Sequence, residues 1–169
     1  MSMVPHSILS AAYKAQHYSL HLGAVAFQRT ARLFMKPSAE PRREDIETLR
    51  RRYAELLQRD LDNVRSGIYP ATLLRFPVEE YARVLPALLR DLPRSYRRAK
   101  KRNYKDLPDE ASSDRYPDYY RRNFHWQTDG YFSRRSAEIY DIGVEFLFGG
   151  TADVMRRQIM PPIYDHIRD

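Results

Sequence analysis

Apolar residues recur at helical spacing over most of the chain, and this pattern predicts an all-α fold. Between Ile8 and Leu33 they stand three, four or seven positions apart, which places them along one face of a long helix over residues 7–35. A second apolar stripe predicts a helix over residues 42–65. No segment alternates apolar and polar residues in the manner of a convincing strand, so we expect no substantial sheet.

Proline and glycine predict how these two helices end. Pro37 follows the first helix and begins a linker that is rich in proline and small residues. Gly67 is placed to cap the C-terminus of the second helix, because glycine adopts the left-handed backbone conformation at low cost. Pro70 then prevents that helix from continuing.

The middle of the chain predicts one interrupted helical region and one loop. Residues 78–104 have helical character, but Pro86 is expected to kink or divide the element. The part from Pro93 onward is basic and is expected to form its own helix. Residues 107–118 are polar and predict a loop.

An aromatic motif over residues 119–133 precedes the predicted C-terminal helices over residues 134–169. Ser133 is a good N-cap candidate for the first of them, because its hydroxyl can accept a bond from an unpaired backbone N–H. Three further signals predict helix boundaries after that helix begins. Gly149-Gly150 is expected to end a helix, Thr151 to cap the next one, and Pro161-Pro162 to end one helix or begin another. The expected architecture is an irregular multi-helix bundle with an aromatic-rich loop, forming one helical domain or leader over residues 1–169.

The amino-acid composition is typical of a folded protein with one hydrophobic core. The chain has 169 residues, of which 43% are hydrophobic and 12% aromatic, and this excludes wholesale disorder. No stretch approaches the roughly 20 apolar residues needed to span a bilayer. There is no cysteine, so disulfides and thiol catalysis are excluded, and a cytoplasmic location is expected.

The net charge of +7 raises the possibility of an anionic partner. Residues 94–105 carry seven basic side chains and no acidic one, with two tyrosines among them. Acidic residues follow at once from Asp106, and no known nucleic-acid-binding signature accompanies the run. We therefore favour a solvated helix face over a nucleic-acid site. A non-catalytic basic module that binds nucleic acid or an acidic partner remains the alternative.

Histidines near the N-terminus do not make a convincing metal site. His17 and His21 stand four apart on one predicted helix face, but the sequence offers no third ligand beside them. No metal is predicted.

Residues 116–133 crowd seven aromatic rings around one histidine and one glutamine. Aromatic faces bury large areas while their polar rims can orient a ligand, so the segment can form a pocket wall. His125 is the side chain there whose charge changes most readily near neutral pH. In the alternative interpretation, Phe124, Trp126 and Phe132 fill a helical core, while His125, Gln127 and Asp129 satisfy backbone groups of an irregular connection.

The same segment resembles a known family. Asn123-Phe-His-Trp-Gln-Thr-Asp-Gly-Tyr131, Ser133 to Asp141, and Val144 to Gln158, followed by Pro161-Pro162, are similar to the region that precedes the catalytic domain in bacterial class I S-adenosylmethionine-dependent methyltransferases. Residues 60–70 resemble the same family more weakly. The close similarity covers about a third of the chain.

The resemblance implies a helical part that covers cofactor or substrate in an enzyme whose catalytic domain is absent from this chain. The parent enzyme would use S-adenosylmethionine. This chain has only six glycines and no Asp/Glu-x-Gly-x-Gly turn after an apolar strand, so by itself it is predicted to be inactive and to bind no cofactor. The residues expected to line substrate or cofactor are Tyr120, His125, Gln127, Asp129 and Tyr131. No catalytic residue is assigned, and the sequence does not identify the methyl acceptor.

Overall fold

The all-α prediction is confirmed. The computed structural model describes residues 5–32, 42–103, 105–112, 115–123 and 129–168, and these contain α-helices and short 3-10 helices but no β-strand. The α-helices are α1 (His6–Arg32), α2 (Arg43–Arg65), α3 (Val78–Lys101), α4 (Arg134–Leu147), α5 (Ala152–Arg157) and α6 (Met160–Arg168). The 3-10 helices are Ala71–Leu74 and Asp109–Ser112.

Local signals set several helix ends as predicted. The end of the first predicted helix near residue 35 and the linker after it lie outside the described residues. At the end of α2, Gly67 has φ 73° and its N–H donates to the carbonyl of Val64 at 3.0 Å, while the N–H of Ile68 donates to the carbonyl of Asn63 at 3.0 Å. These two bonds form a Schellman cap, so the prediction for Gly67 is confirmed.

The two caps predicted further along the chain differ in their geometry. Ser133 precedes α4, and its Oγ accepts a bond from the N–H of Ser136 at 3.0 Å, as an N-cap should. Thr151 does precede α5, but its hydroxyl donates backwards to the carbonyl of Phe148 at 2.7 Å. Its position is therefore as predicted, and its hydrogen bond secures the preceding turn instead of the first turn of α5. The predicted proline pair lies at the start of α6.

Pro86 does not divide the middle region, whereas a kink at Pro86 stays a prediction. The helix α3 runs without a break through both Pro86 and Pro93. Proline has a φ near the helical value, and each proline removes only one intrahelical hydrogen bond, so the packing of a long apolar face can offset the loss. The basic residues from position 94 onward therefore continue the helix that begins at Val78, and they do not form a helix of their own.

The chain forms two compact units, and each has its own packing. The first unit comprises Met1–Phe76 and Leu147–Asp169, and the second comprises Pro77–Phe146. The prediction of one helical domain over residues 1–169 stays a prediction, because two compact units can belong to one domain. No helix within the described residues is long and apolar enough to cross a membrane.

The core of the first unit joins α1, α2, the 3-10 helix Ala71–Leu74 and α5. Its buried members are Tyr13, Leu57, Leu61, Leu74 and Val154. Burying such side chains contributes roughly 1.5–3 kcal/mol each. Polar bonds fix the same helices, since the hydroxyl of Tyr53 on α2 donates to the carbonyl of His17 on α1 at 2.8 Å.

In the second unit α3 and α4 are joined by an ion pair whose carboxylate is buried. Arg135 at the start of α4 donates to the carboxylate of Asp91 at 2.5 Å and to the carbonyl of Ala87 at 3.3 Å. The Asp91 side chain is 3% exposed and that of Arg135 is 36% exposed, so the guanidinium reaches the surface of the unit. Leu88 of α3 and Ile139 of α4 are likewise buried in this unit.

Candidate functional site

A cation-rich cavity of about 460 Å³ opens beside the last turns of α3 in the second unit. Positions 94, 97, 98 and 101 are separated by three, four and seven residues, so their side chains lie on one face of the helix. The lining residues are Arg94, Arg97, Arg98, Lys101, Asn103, Asp106, Leu107, Pro108 and Asp129.

Hydrogen bonds beyond the end of α3 position two further lining residues of this cavity, Asn103 and Asp106. Arg102 has φ 51°, in the left-handed region, and the N–H of Asn103 donates back to the carbonyl of Arg98 at 3.1 Å. The side-chain amide of Asn123 then donates to the carbonyl of Asp106 at 2.9 Å. These bonds hold Asn103 and Asp106 in place among the lining residues of the cavity.

Gly130 lies close to Leu107, one of the lining residues of the cavity. It has φ 57°, and a Cβ atom there would lie 2.7 Å from the carbonyl oxygen of Arg122 and 3.1 Å from Cδ2 of Leu107. Only glycine fits such a contact without a shift of the backbone. The close approach brings Asp129 to the cavity.

Arg98 is the buried cation of the cavity. It is 7% exposed, and its guanidinium donates to the hydroxyl of Ser95 at 3.2 Å. Burial lowers the pKa of Arg98, whereas the nearby carboxylates of Asp106, Asp129 and Asp91 favour its charged form. An arginine stays protonated in proteins, so the cavity keeps this positive charge. The prediction that residues 94–105 form a solvated face is therefore wrong for Arg98 and for Ser95, which is also buried.

Of the five residues predicted to line a site, the structure places one at the cavity. Asp129 lines it, whereas Tyr120 and Tyr131 contact each other with ring centroids 4.8 Å apart and are 39% and 52% exposed. Neither tyrosine is among the lining residues of the cavity. His125 and Gln127 lie outside the described residues.

A second polar cluster, in the first unit, surrounds the carboxylate of Asp60. The Asp60 side chain has no exposed surface. One of its oxygens accepts bonds from the hydroxyl of Tyr69 at 2.5 Å and from Nε of Arg157 at 3.1 Å. The other accepts from the hydroxyl of Tyr13 at 2.5 Å and from Nη2 of Arg157 at 2.6 Å. Every strong acceptor position of the carboxylate is thereby filled from within the protein.

The Asp60 cluster holds its protons tightly. Burial, followed by the bond to Asp60, raises the pKa of Tyr69 to about 12 and that of Tyr13 further. For Arg157, burial lowers the pKa, but the hydrogen bonds and charge of Asp60 outweigh burial and leave the pKa raised. None of the three donors therefore loses its proton near neutral pH, and the cluster serves packing and not acid–base chemistry. The sequence carried one signal of it, an aspartate between Leu57 and Leu61 of the apolar stripe.

The side chain of His17 also has a hydrogen-bond partner within the protein. Its Nδ1 lies 2.9 Å from the carbonyl oxygen of Gly150, and because a carbonyl only accepts, Nδ1 carries the hydrogen. Burial lowers the pKa of His17. The described residues contain no group of three histidine, aspartate or glutamate side chains able to hold a metal ion.

No protein-family model, curated protein or solved structure matches the chain. The methyltransferase resemblance therefore rests on the sequence segments that carry it.

Proposed function

We propose that this chain is the N-terminal helical region of a class I S-adenosylmethionine-dependent methyltransferase. In this proposal a catalytic domain outside the chain holds the cofactor, and the helical region covers cofactor or substrate. The observation that carries the proposal is the resemblance of residues 123–158 to the leader of that family. The all-α fold agrees with such a leader.

The location of the resembling segment supports a covering role. Its first part supplies Asp129 to the wall of the cation-rich cavity. Its second part supplies Gly150, Val154 and Arg157 to the interior of the first unit. The segment thus contributes one residue to a potential ligand site in the second unit and three residues to the interior of the first unit.

A helical cover can assist methyl transfer without taking part in bond making. The acceptor nucleophile must approach the sulfonium methyl group in line, and a fixed enclosure supplies that orientation. Closure over the site also excludes bulk water during the reaction. Tyr120, His125, Gln127, Asp129 and Tyr131 remain the proposed lining residues, of which Asp129 has an observed cavity position.

Calorimetric titration of S-adenosylmethionine into two proteins tests this proposal. One is the chain itself, and the other is the same chain continued by the sequence encoded after Asp169. We expect cofactor binding and methyl transfer only for the longer protein, because the glycine-rich cofactor turn is missing from this chain. Micromolar cofactor binding by the chain alone, or no binding by the longer protein, contradicts the proposal.

A pair of variants tests the lining role within the longer protein. Asp129→Asn should lower the methyl-transfer rate while costing less than about 1.5 kcal/mol of stability, near the net value of a hydrogen bond. Asp118→Asn is the matched control, because the Asp118 side chain is 88% exposed and lies outside the cavity. Equal rates for both variants would remove Asp129 from the site.

The second candidate is a non-catalytic helical module that binds nucleic acid or an acidic partner. The gathering of four cations on one face of α3 favours it. Binding of a polynucleotide must weaken steeply with added salt, because each neutralised phosphate releases counterions. A salt-sensitive complex with single- or double-stranded oligonucleotides, together with no effect of S-adenosylmethionine on the longer protein, would establish this function instead.

A further inference from the structure

The cavity of the second unit has an excess of positive charge. Four cationic side chains line it against the two carboxylates of Asp106 and Asp129, which leaves a formal charge of +2. Arg94, Arg97 and Lys101 make no ion pair with any carboxylate in the described part of the chain. Three cations therefore remain able to pair with a ligand that brings negative charge.

The size and the walls of the cavity indicate a small ligand. Its volume of about 460 Å³ lies within the range of roughly 300–1,000 Å³ that is usual for small-molecule sites. A polynucleotide needs a basic path free of repulsion, and here Asp106 and Asp129 line the cavity together with the cations. The two carboxylates therefore disfavour a phosphate chain and favour a compact molecule.

The arrangement of the lining groups also indicates the class of that molecule. Guanidinium groups bind phosphate oxygens through pairs of parallel hydrogen bonds, and a phosphate monoester carries about −1.5 to −2 charges near pH 7. Leu107 and Pro108 provide an apolar patch for a short carbon chain. Asp129, an acceptor when ionised, suits an amino or hydroxyl group on the same molecule.

We propose that this cavity binds a small phosphate monoester that also carries an amino or hydroxyl group. The phosphate is held by Arg94, Arg97 and Lys101, and the amino or hydroxyl group is held by Asp129. This inference is independent of the methyltransferase proposal, because it concerns binding by this chain alone. If the longer protein fails to bind the cofactor, the proposal that this cavity binds a phosphate monoester still stands.

Calorimetric titration with O-phosphoethanolamine at low ionic strength is the direct test, and the full 169-residue chain is the protein used. Ethyl phosphate is the comparison without an amino group, succinate is the dicarboxylate comparison, and a short single-stranded oligonucleotide is the polymer comparison. We expect saturable binding at one site for both phosphate monoesters, tighter for O-phosphoethanolamine. Succinate and the oligonucleotide should bind at least about tenfold more weakly. A loss of this size corresponds to the loss of one or more charge-assisted hydrogen bonds.

Two double variants with equal loss of charge locate the site. Arg94→Gln with Lys101→Gln should weaken O-phosphoethanolamine binding by about tenfold or more. Arg83→Gln with Arg90→Gln removes the same charge from exposed positions of α3 outside the cavity and should change binding by less than about twofold. Circular dichroism and the unfolding midpoint establish that each variant is folded, and the single variants Arg94→Gln and Lys101→Gln replace the pair if the double variant unfolds.

A third variant tests the orientation of the ligand. Asp129→Asn should abolish the preference for O-phosphoethanolamine over ethyl phosphate while leaving ethyl phosphate binding in place. The proposal is overturned by absence of saturable binding of either phosphate monoester, by equal weakening in both double variants, or by tighter binding of succinate or of the oligonucleotide. An unchanged preference in Asp129→Asn overturns the role of Asp129.

Discussion

Arg157 and Asp60 lie 97 positions apart in the sequence and form a two-point ion pair, with bonds of 3.1 and 2.6 Å from the guanidinium to both carboxylate oxygens. Asp60 belongs to α2 and Arg157 to α5, so the pair links two helices of the first unit that are far apart in the sequence. The Arg157 side chain is 14% exposed and that of Asp60 is 0% exposed. Such burial makes each charge dependent on the other, since neither can turn to water.

We expect Asp60→Ala to lower the free energy of unfolding by about 3–5 kcal/mol. The substitution leaves the Arg157 charge without its carboxylate and removes the acceptor of the Tyr13 and Tyr69 hydroxyls. Urea unfolding followed by circular dichroism measures the loss. Asp62→Ala on the same helix is the control, because its bond to Arg65 is exposed and should contribute less than about 1 kcal/mol. Equal losses in the two variants would show that Asp60 is not held as described.

The tyrosines of the cluster predict a decline of stability at alkaline pH. The pKa of Tyr69 is raised to about 12 from 10.0, so the folded state favours the protonated hydroxyl. The stabilisation is complete below pH 10 and declines as the pH rises from there to about 12, where the unfolded chain loses the proton first. Tyr69→Phe should make this decline shallower, whereas Tyr18→Phe, at a 47% exposed position, should not. Unfolding free energies at several values of pH between 8 and 12 give the comparison.

Local sequence rules predicted the end of α2 and the start of α4, because the groups that form a cap are neighbours in the chain. The glycine of the Schellman cap at Gly67 and the Ser133 hydroxyl bond need no contact from elsewhere. The continuity of α3 through two prolines was not predicted, since it depends on tertiary packing that outweighs a local cost.

The candidate site was predicted less completely, because it is assembled from separate parts of the chain. The sequence predicted that the basic run of residues 94–105 is a solvated helix face, but it did not show that Arg98 is buried. The cavity is lined both by Asp129 and by Leu107, and Gly130 allows the close approach to Leu107. Likewise, the partner of Asp60 is 97 positions away, and periodicity contains no information about such pairs.

His17 predicts a second dependence on pH, at the acidic side. Burial lowers the pKa of His17 below 6.5, so the folded state binds its proton less readily than the unfolded chain does. Its contribution to stability is therefore present above pH 6.5 and is lost as the pH falls below that value. His17→Gln should flatten the dependence of the unfolding free energy on pH between 7.5 and 5, and the exposed His166→Gln should leave it unchanged. Identical slopes for all three proteins would mean that His17 is not held neutral by the fold.

Substitution by alanine should change the stability of the protein in opposite directions at two glycines of the first unit. Gly150 has φ 82°, and a Cβ atom there would lie 2.8 Å from Cβ of Leu20, so Gly150→Ala is strained both by its backbone and by its neighbour. We expect a loss of about 1–3 kcal/mol, part of it through the bond from His17 to the Gly150 carbonyl. Gly23 lies inside α1 with nothing within 4 Å of its Cβ position, so Gly23→Ala should stabilise the protein by about 0.5–1 kcal/mol. Thermal or urea unfolding of both variants measures whether each substitution raises or lowers the stability of the protein. A neutral Gly150→Ala would show that α1 does not approach the glycine pair this closely, while a destabilising Gly23→Ala would contradict its open position on α1.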